Sequence, residues 1–455
     1  MNRISKRAWF ALVLAIALGI GVAVFAVRYC MEAGQWATFF GSPHVYSGSN
    51  LNSGVVIDRT GTVLLDATDG RTYAESAQLR KATMHILGDR YGYIPSRLME
   101  KYSDELIGYN ILTGTYNASS GEETMKLTLS AQVQTAALQA LNGRKGTIGV
   151  YNYKTGEILC AVTSPTYDPD HVPDIDESDS AYDGIYVNRF FDTTYVPGSI
   201  FKLVTAAAAI ETLPDVEELS FYCDGSYIAE DEVITCNGVH GEINLEQALA
   251  HSCNVAFGQL AQQLGKRTLE EYARKIGITE SIEFDGIGTA SGTFDLSDAE
   301  EPDLAWAGIG QYTDLVNACQ FMTYMGAIAN GGEAAKPYLA QRAGSGLIGH
   351  KASEASLGRM IEEDTADKLA EMMRNNVVSV YGTGSFPDLY VCAKSGTAEV
   401  GDGQEPHATF AGFIQSSEYP LAFIVIVENG GSGSGVAGPV AGQVLNACVA
   451  AMDEE

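Results

Sequence analysis

The longest uninterrupted apolar stretch lies near the start of the chain, where the twenty residues from Ala8 to Val27 carry no charge. About 20 apolar residues cross a bilayer as a helix, so 8–28 reads as a transmembrane anchor. Arg3, Lys6 and Arg7 precede it. A basic flank stays on the cytoplasmic side, which puts 1–7 inside the cell and the rest of the chain outside it. The competing reading is a cleaved signal peptide, whose apolar region is normally shorter. Arg28-Tyr29-Cys30 is a poor cleavage site, and Val27-Arg28-Tyr29 lacks the small residues that lipoprotein processing at Cys30 wants.

Past the anchor the period changes. Residues 53–65 form two apolar runs around Thr60-Gly61, a hairpin pattern. The stretch 70–114 is mixed and irregular and holds no cluster of nucleophile, base and acid. Residues 29–126 therefore read as a pedestal that holds a second unit, 127–455, away from the membrane. That unit opens with an apolar 127–129 and a helix that Ser130 caps, with Val133, Ala137 and Leu141 on one face. Strands at 146–152 and 157–162 follow, joined by a turn at Lys154-Thr155-Gly156. Helical patterns occupy 199–212, 245–264, 268–275, 314–329 and 365–378. Strands return at 389–394, 409–414 and 421–428, and a last helix is expected over 438–452. Gly430 to Gly435 reads as a flexible turn. Strands at both ends bracketing a helical middle predict one sheet with helices on its faces, a mixed α/β (α+β) domain.

Composition narrows the function. With 57 acidic against 28 basic residues the formal charge is −29. Nucleic-acid binding needs a basic face, so no nucleic-acid partner is expected. Eight cysteines are too sparse for a disulfide scaffold. Cys223 and Cys236 flank one short loop-like stretch. Three readings stay open: a disulfide, a metal site completed by Asp224, His240 or Cys253, or two unpaired buried thiols.

Three constellations carry chemistry. Ser199 follows Pro197-Gly198 and opens a helix, whose free N–H groups favour an anion. Lys202 lies three residues on and shares its face. A desolvated lysine near a second cation loses its proton, and neutral Lys202 can then take the Ser199 proton. Taken alone, the pair is also what a helix cap and a solvated lysine look like. His251-Ser252-Cys253-Asn254 falls within a helical pattern. A turn there would present Ser252 as a proton relay and Asn254 as a ligand for a substrate amide. Lys394-Ser395-Gly396-Thr397 follows an apolar strand. Gly396 would let a substrate backbone lie close to the strand edge. The Thr397 and Ser199 N–H groups can form an oxyanion hole, and Lys394 with the Ser395 and Thr397 hydroxyls suits a terminal carboxylate.

Ser-x-x-Lys, Ser-x-Asn and Lys-[Ser/Thr]-Gly, in that order and about 50 and then about 140 residues apart, are the signature of penicillin-binding proteins and class A β-lactamases. The likeness extends further. Lys154 to Leu159, Ser164 to Pro169, Asn188-Arg189-Phe190-Phe191, Tyr195 to Ser199, Gly308 to Gln311, Ala329 to Gly332 and Lys394 to Ala398 all resemble the transpeptidase domain of class B penicillin-binding proteins. Residues 54–108 resemble their short pedestal.

That resemblance implies the penicillin-binding/β-lactamase-like fold, with an antiparallel sheet flanked by helices and a helical lobe. It implies a peptidoglycan D,D-transpeptidase. Ser199 attacks the D-alanyl-D-alanine end of a stem peptide, Lys202 acts as base, Ser252 relays the proton, and Lys394, Ser395 and Thr397 hold the carboxylate. A neighbouring stem-peptide amine takes the acyl group. β-Lactams acylate Ser199, no cofactor is needed, and a membrane-embedded SEDS-type glycan polymerase is the expected partner. The second motif has Cys253 where the pattern has Asp, which leaves the middle residue's role in doubt.

Two neighbouring activities share the motifs. A class A β-lactamase would carry Glu-x-x-Leu-Asn, whereas Glu301-Pro302-Asp303-Leu304-Ala305 lacks the asparagine. A D-alanyl-D-alanine carboxypeptidase, passing the acyl group to water, is the nearer alternative.

Overall fold

The computed structural model describes residues 2–37, 39, 41–42, 45–68, 70–108, 123–176, 178–344, 349–401 and 403–454. The first helix, Asn2–Ala37, begins before the apolar run and continues beyond it. At 1.5 Å per residue its 36 residues outreach the roughly 30 Å hydrocarbon core. None of its most apolar window is buried against the protein, which makes it a candidate membrane span. Helix Gly433–Asp453 is also long and apolar enough, but half of its window is buried in the fold.

The 53–65 hairpin forms as Val55–Ile57 against Val63–Asp66. Its turn is held by Asp58, whose Oδ1 accepts from the Thr60 and Thr62 N–H groups at 2.9 and 2.8 Å. These strands belong to a six-stranded sheet that also takes in Thr72–Tyr73, Thr124–Leu127, Ala340–Ala343 and His350–Lys351. Ala340–Ala343, more than 200 residues downstream, thus pairs with Thr124–Leu127, and the sheet draws strands from both sides of residue 127. The stretch expected to be irregular contains the helix Ala77–Leu87, capped by Ser76. Its pattern was hidden because Arg80 and His85 are buried among the apolar positions. Arg80 donates to Asp168 at 2.7 and 2.6 Å, and His85 bonds the Ile185 carbonyl. The end of that stretch, 109–114, lies outside the described residues.

Among the described residues, twelve of the elements in 127–455 frame the sheet and the site. They are α1 (Ala131–Leu141), β1 (Gly146–Asn152), β2 (Ile158–Ser164), α2 (Lys202–Thr212), α3 (Leu245–Ala250), α4 (Asn254–Lys275), α5 (Ala318–Ala329), α6 (Glu363–Asn376), β3 (Val391–Ala398), β4 (His407–Ile414), β5 (Leu421–Val427) and α7 (Gly438–Asp453). The strands form one antiparallel sheet in the order β3-β4-β5-β1-β2, in which β1 and β5, the first and last of them in sequence, are neighbours. Both faces are buried, which is why β5 reads as a continuous apolar run. Ala422, Ile424 and Ile426 pack on one side with α5, while Leu421, Phe423, Val425 and Val427 pack on the other with α1 and α7. Ser130 caps α1 through the Val133 N–H as expected.

Two boundaries differ from the sequence pattern in ways that matter for the site. The expected helix 245–264 is broken at 251–253, where Cys253 caps α4 and Ser252 takes φ +54°. The break expected after residue 264 is only a kink at Gly265. The strand expected to stop at 394 instead starts at Val391 and runs to Ala398, so the Lys-Ser-Gly-Thr motif lies within the edge strand β3.

Candidate active site

Ser199 stands in a tight 3-10 turn, Gly198–Ile200, that precedes α2. Residues three apart nearly eclipse in such a turn, which stacks Lys202 on Ser199. The turn is wedged in place by backbone contact. The Gly198 N–H donates to the Gly310 carbonyl at 2.9 Å. A Cβ on Gly310, at φ +86°, would lie 2.1 Å from the Gly198 oxygen, and one on Gly198 would lie 2.8 Å from the Thr397 oxygen. Gly198 and Gly310 therefore bring the nucleophile's turn against β3. Gly396 serves the same packing. Its Cβ would fall 2.1 Å from Thr409 Oγ1 and 3.0 Å from the Pro197 oxygen. The face of Gly396 on which a Cβ would stand is filled by the protein itself.

Lys202 is fully buried, and its Nζ is surrounded by oxygens. Ser199 Oγ is at 3.0 Å, the Ser252 carbonyl at 2.7 Å, Ser252 Oγ at 3.1 Å and Asn254 Oδ1 at 2.7 Å. None of these partners is a carboxylate. Burial brings the Lys202 ammonium down to about 7, opposed by the nearby Cys236 and Cys253 sulfurs. Lys394 is also fully buried. Its Nζ lies 3.0 Å from Ser252 Oγ and 2.8 Å from the Ser395 carbonyl. Burial, and then the charge of Lys202, hold it well below the ordinary lysine value. One hydroxyl, that of Ser252, bridges two buried amines that cannot both be comfortably charged.

The structure brings Ser199, Lys202, Ser252, Asn254, Lys394, Ser395 and Thr397 together. A cleft of about 570 Å³ is lined by Ser199, Ser252, Asn254, Ser395 and Thr397, among others. Asn254 is more committed than expected: its carbonyl accepts from Lys202 and its amide donates to the Thr235 carbonyl at 2.9 Å. One amide hydrogen is left for a substrate. The Lys154-Thr155-Gly156 segment is a turn between β1 and β2, as its pattern suggested.

Tyr381 was not anticipated. It sits at the end of a π-helical turn, Val377–Tyr381, and its hydroxyl accepts from both the Ser395 N–H and Ser395 Oγ at 3.0 Å. No motif marks it; the packing of the α6 end against β3 makes the contact. Ser432 and Ser434 also line the cleft, from the glycine-rich segment that had read as a flexible turn.

Beneath the Ser252 turn, Cys223, Cys236, His240 and Cys253 converge, with their ligand atoms all within 4.8 Å of one another. All three cysteines are free thiols, and Asp224 is not part of the group.

Residues 146–446 match the penicillin binding protein transpeptidase domain. The chain is 29% identical over 347 residues to the stage V sporulation protein D of Bacillus subtilis, across 70% of this chain and 52% of that protein. It is 28% identical over 365 residues to the peptidoglycan D,D-transpeptidase PbpA of Mycobacterium tuberculosis, across 71% of this chain and 72% of that one. Among solved structures it superposes on penicillin-binding protein A from M. tuberculosis in a ceftriaxone acyl-enzyme complex. That match has a TM-score of 0.77 and 24% identity, over 87% of this chain and 98% of the other. The D,D-transpeptidase domain of a peptidoglycan glycosyltransferase from Eggerthella lenta gives a TM-score of 0.74 at 25% identity, over 89% and 99%.

Proposed function

The chain belongs to the penicillin-binding protein transpeptidase family, in its class B, and from that premise we propose that it is a peptidoglycan D,D-transpeptidase acting through a Ser199 acyl-enzyme. The observation that carries the reading is the position of Lys202 Nζ, 3.0 Å from Ser199 Oγ, fully buried and without a carboxylate partner. A lysine held near 7 is neutral often enough at working pH to act as a base.

Neutral Lys202 takes the proton as Ser199 Oγ attacks the carbonyl of the penultimate D-alanine. The Ser199 and Thr397 N–H groups stabilise the oxyanion. The proton passes by way of Ser252, which touches both lysines, to the amine of the departing D-alanine. Lys394, Ser395 and Thr397 hold the terminal carboxylate. Tyr381 fixes the Ser395 hydroxyl, and Asn254 fixes Lys202. An amine of a second stem peptide then attacks the acyl-enzyme, completing the cross-link and freeing Ser199. A β-lactam enters as a mimic of the same dipeptide and leaves Ser199 acylated.

We place the apolar helix across the membrane with 1–7 cytoplasmic and the catalytic unit outside. Residues 29–126 serve as the pedestal and 127–455 as the transpeptidase domain. The partner of such an arrangement is a membrane-embedded SEDS-type polymerase that supplies uncross-linked glycan. Support comes from the basic flank at Arg3, Lys6 and Arg7 and the exposed apolar helix.

The test is product analysis of the full chain in detergent, incubated with a D-alanyl-D-alanine peptide and an added amine. Transpeptidation predicts an amide between peptide and amine. Release of D-alanine with hydrolysed peptide alone, at saturating amine, would replace this reading with a carboxypeptidase.

A further inference from the structure

Leu249, Val255, Ala256 and Phe257 bury the inner side of the Ser252–Asn254 turn, but the segment that flanks it, 221–243, is built of short strands. It is made of two separate two-stranded pairs, Phe221–Cys223 with Gly241–Ile243 and Ser226–Ala229 with Glu232–Thr235. Two-stranded pieces of this kind are marginal on their own. Tyr222, Ile228, Val233 and Val239 point to solvent, each more than half exposed. What these pieces and the Ser252 turn share is the cluster at their base. Cys223 ends one strand, Cys236 follows another, His240 precedes a third, and Cys253 is the cap of α4.

The distances match one kind of occupant. A tetrahedral zinc with bonds of about 2.3 Å to sulfur and about 2.0 Å to imidazole nitrogen puts its sulfurs roughly 3.8 Å apart and sulfur roughly 3.6 Å from nitrogen. Cys236 Sγ stands 3.8 Å from Cys253 Sγ and 3.7 Å from His240 Nδ1. Backbone N–H groups point at the sulfurs, from Asn254 to Cys236 at 3.3 Å and from Ala256 to Cys253 at 3.5 Å, as they do toward thiolates. Buried thiols packed as small apolar groups are common. That account explains neither the imidazole nitrogen turned into the group nor the convergence of four donors from four segments. A single disulfide would use two sulfurs and strand the third.

We propose that Cys223, Cys236, His240 and Cys253 bind one zinc ion in a closed Cys3His site that holds the Ser252–Asn254 turn in its working position. Soft thiolate donors with one imidazole suit zinc and leave no open position for a reacting group. On binding, the three thiols give up three protons to solvent while the imidazole binds neutral. The ion ties Cys253, which lies between Ser252 and Asn254, to the strands that pack beside it. This gives the middle residue of the Ser-x-Asn motif a positioning role. The ligands act on the reaction only through Ser252, Asn254 and Lys202, so the effect on acylation rests on the transpeptidase reading, whereas the metal site does not.

The experiment measures metal content and acylation on the full chain in detergent. Elemental analysis of wild type, after dialysis against micromolar zinc and gel filtration, should give one zinc per chain. Cys160→Ser, a buried cysteine outside the cluster, should keep it. Cys236→Ser and His240→Ala should fall below a tenth of an equivalent. His240→Cys, which restores four donors, should recover the ion, and cobalt in its place should show the visible bands of a tetrahedral thiolate site. Acylation of Ser199 by a labelled penicillin should slow about tenfold in Cys236→Ser and recover in His240→Cys relative to His240→Ala. Substoichiometric zinc in folded wild type, or a Cys236–Cys253 disulfide found by non-reducing peptide mapping, would overturn the site. Full zinc loss with an unchanged acylation rate would overturn its positioning role. Zinc-loaded wild type that no penicillin acylates would instead count against the transpeptidase reading.

Discussion

The two walls of the cleft are held in place by different means. On one side, Ile200, Phe201, Leu203 and Val204 around the nucleophile are fully buried, and the turn touches its neighbours backbone to backbone through Gly198 and Gly310. On the other side, Leu249, Val255, Ala256 and Phe257 are buried as fully behind Ser252 and Asn254, and polar ties are added: Asn254 to Thr235, Asn237 to the His251 carbonyl, Trp306 Nε1 to Glu232, and the thiol cluster. Apolar packing is dense and cooperative, so it fixes the attacking atom rigidly. The polar ties of the second wall fix the orientation of the side chains that Ser252 and Asn254 present. The first wall holds the attacking atom, and the second holds the groups that bond its lysine.

The contrast breaks most severely at Lys202, where the walls meet. Lys202→Met should slow acylation by a labelled penicillin by about 10²- to 10⁴-fold, the usual contribution of a positioned base. In wild type the acylation rate should climb through pH about 7, where Lys202 loses its proton, and fall about tenfold per unit below it. The same group costs stability. The unfolded chain holds this proton up to about 10.5 and the folded one only to about 7. The penalty is therefore complete below the folded value and fades as pH rises toward the unfolded one. Lys202→Met should accordingly melt higher than wild type at pH 7, with the gap closing above pH 9.

Gly310→Ala tests whether the packed wall is as rigid as described. Its Cβ would meet the Gly198 oxygen at 2.1 Å from a backbone at φ +86°. A loss of about 2 kcal/mol in denaturant unfolding is expected from the backbone alone. Displacement of Ser199 should cost about 10²-fold in acylation. Unchanged kinetics would mean that the turn can shift freely.

Much of this was legible in the chain. Ser199, Lys202, Ser252 and Lys394 stand in ordered motifs, and the double-faced apolar strands announced the sheet. Local pattern also marked the caps, as at Ser130. What stayed hidden depended on distant partners. Arg80 and His85 look like surface residues until Asp168 and the Ile185 carbonyl are beside them. Strand Ala340–Ala343 joins Thr124–Leu127 across a separation that no local period encodes. The turn at Ser252 interrupts a sequence that reads as one helix; Ser252 takes φ +54° where Lys202 and Lys394, both distant in sequence, bond to it. Tyr381 acquires its role only where α6 ends beside β3.

Two smaller effects sharpen the comparison. Tyr381→Phe removes the shared acceptor of the Ser395 N–H and hydroxyl. It should weaken initial penicillin binding about tenfold, a loss of about 1.4 kcal/mol, with little change in the rate of the acylation step itself. Equal loss in that rate would place Tyr381 in the chemistry rather than in carboxylate binding. Val233→Thr, on the exposed hairpin, should change unfolding free energy by less than about 0.5 kcal/mol and leave acylation unaltered. A larger change would show that the exposed face of this hairpin bears on the Ser252 turn.

The central claim is that Ser199 carries the acyl group. Intact-mass measurement of the full chain after incubation with a labelled penicillin, for wild type and Ser199→Ala, tests it directly. The account predicts one adduct per wild-type chain, mapped to the peptide containing Ser199 and persisting for hours, with none on Ser199→Ala. Equal labelling of both proteins would contradict it.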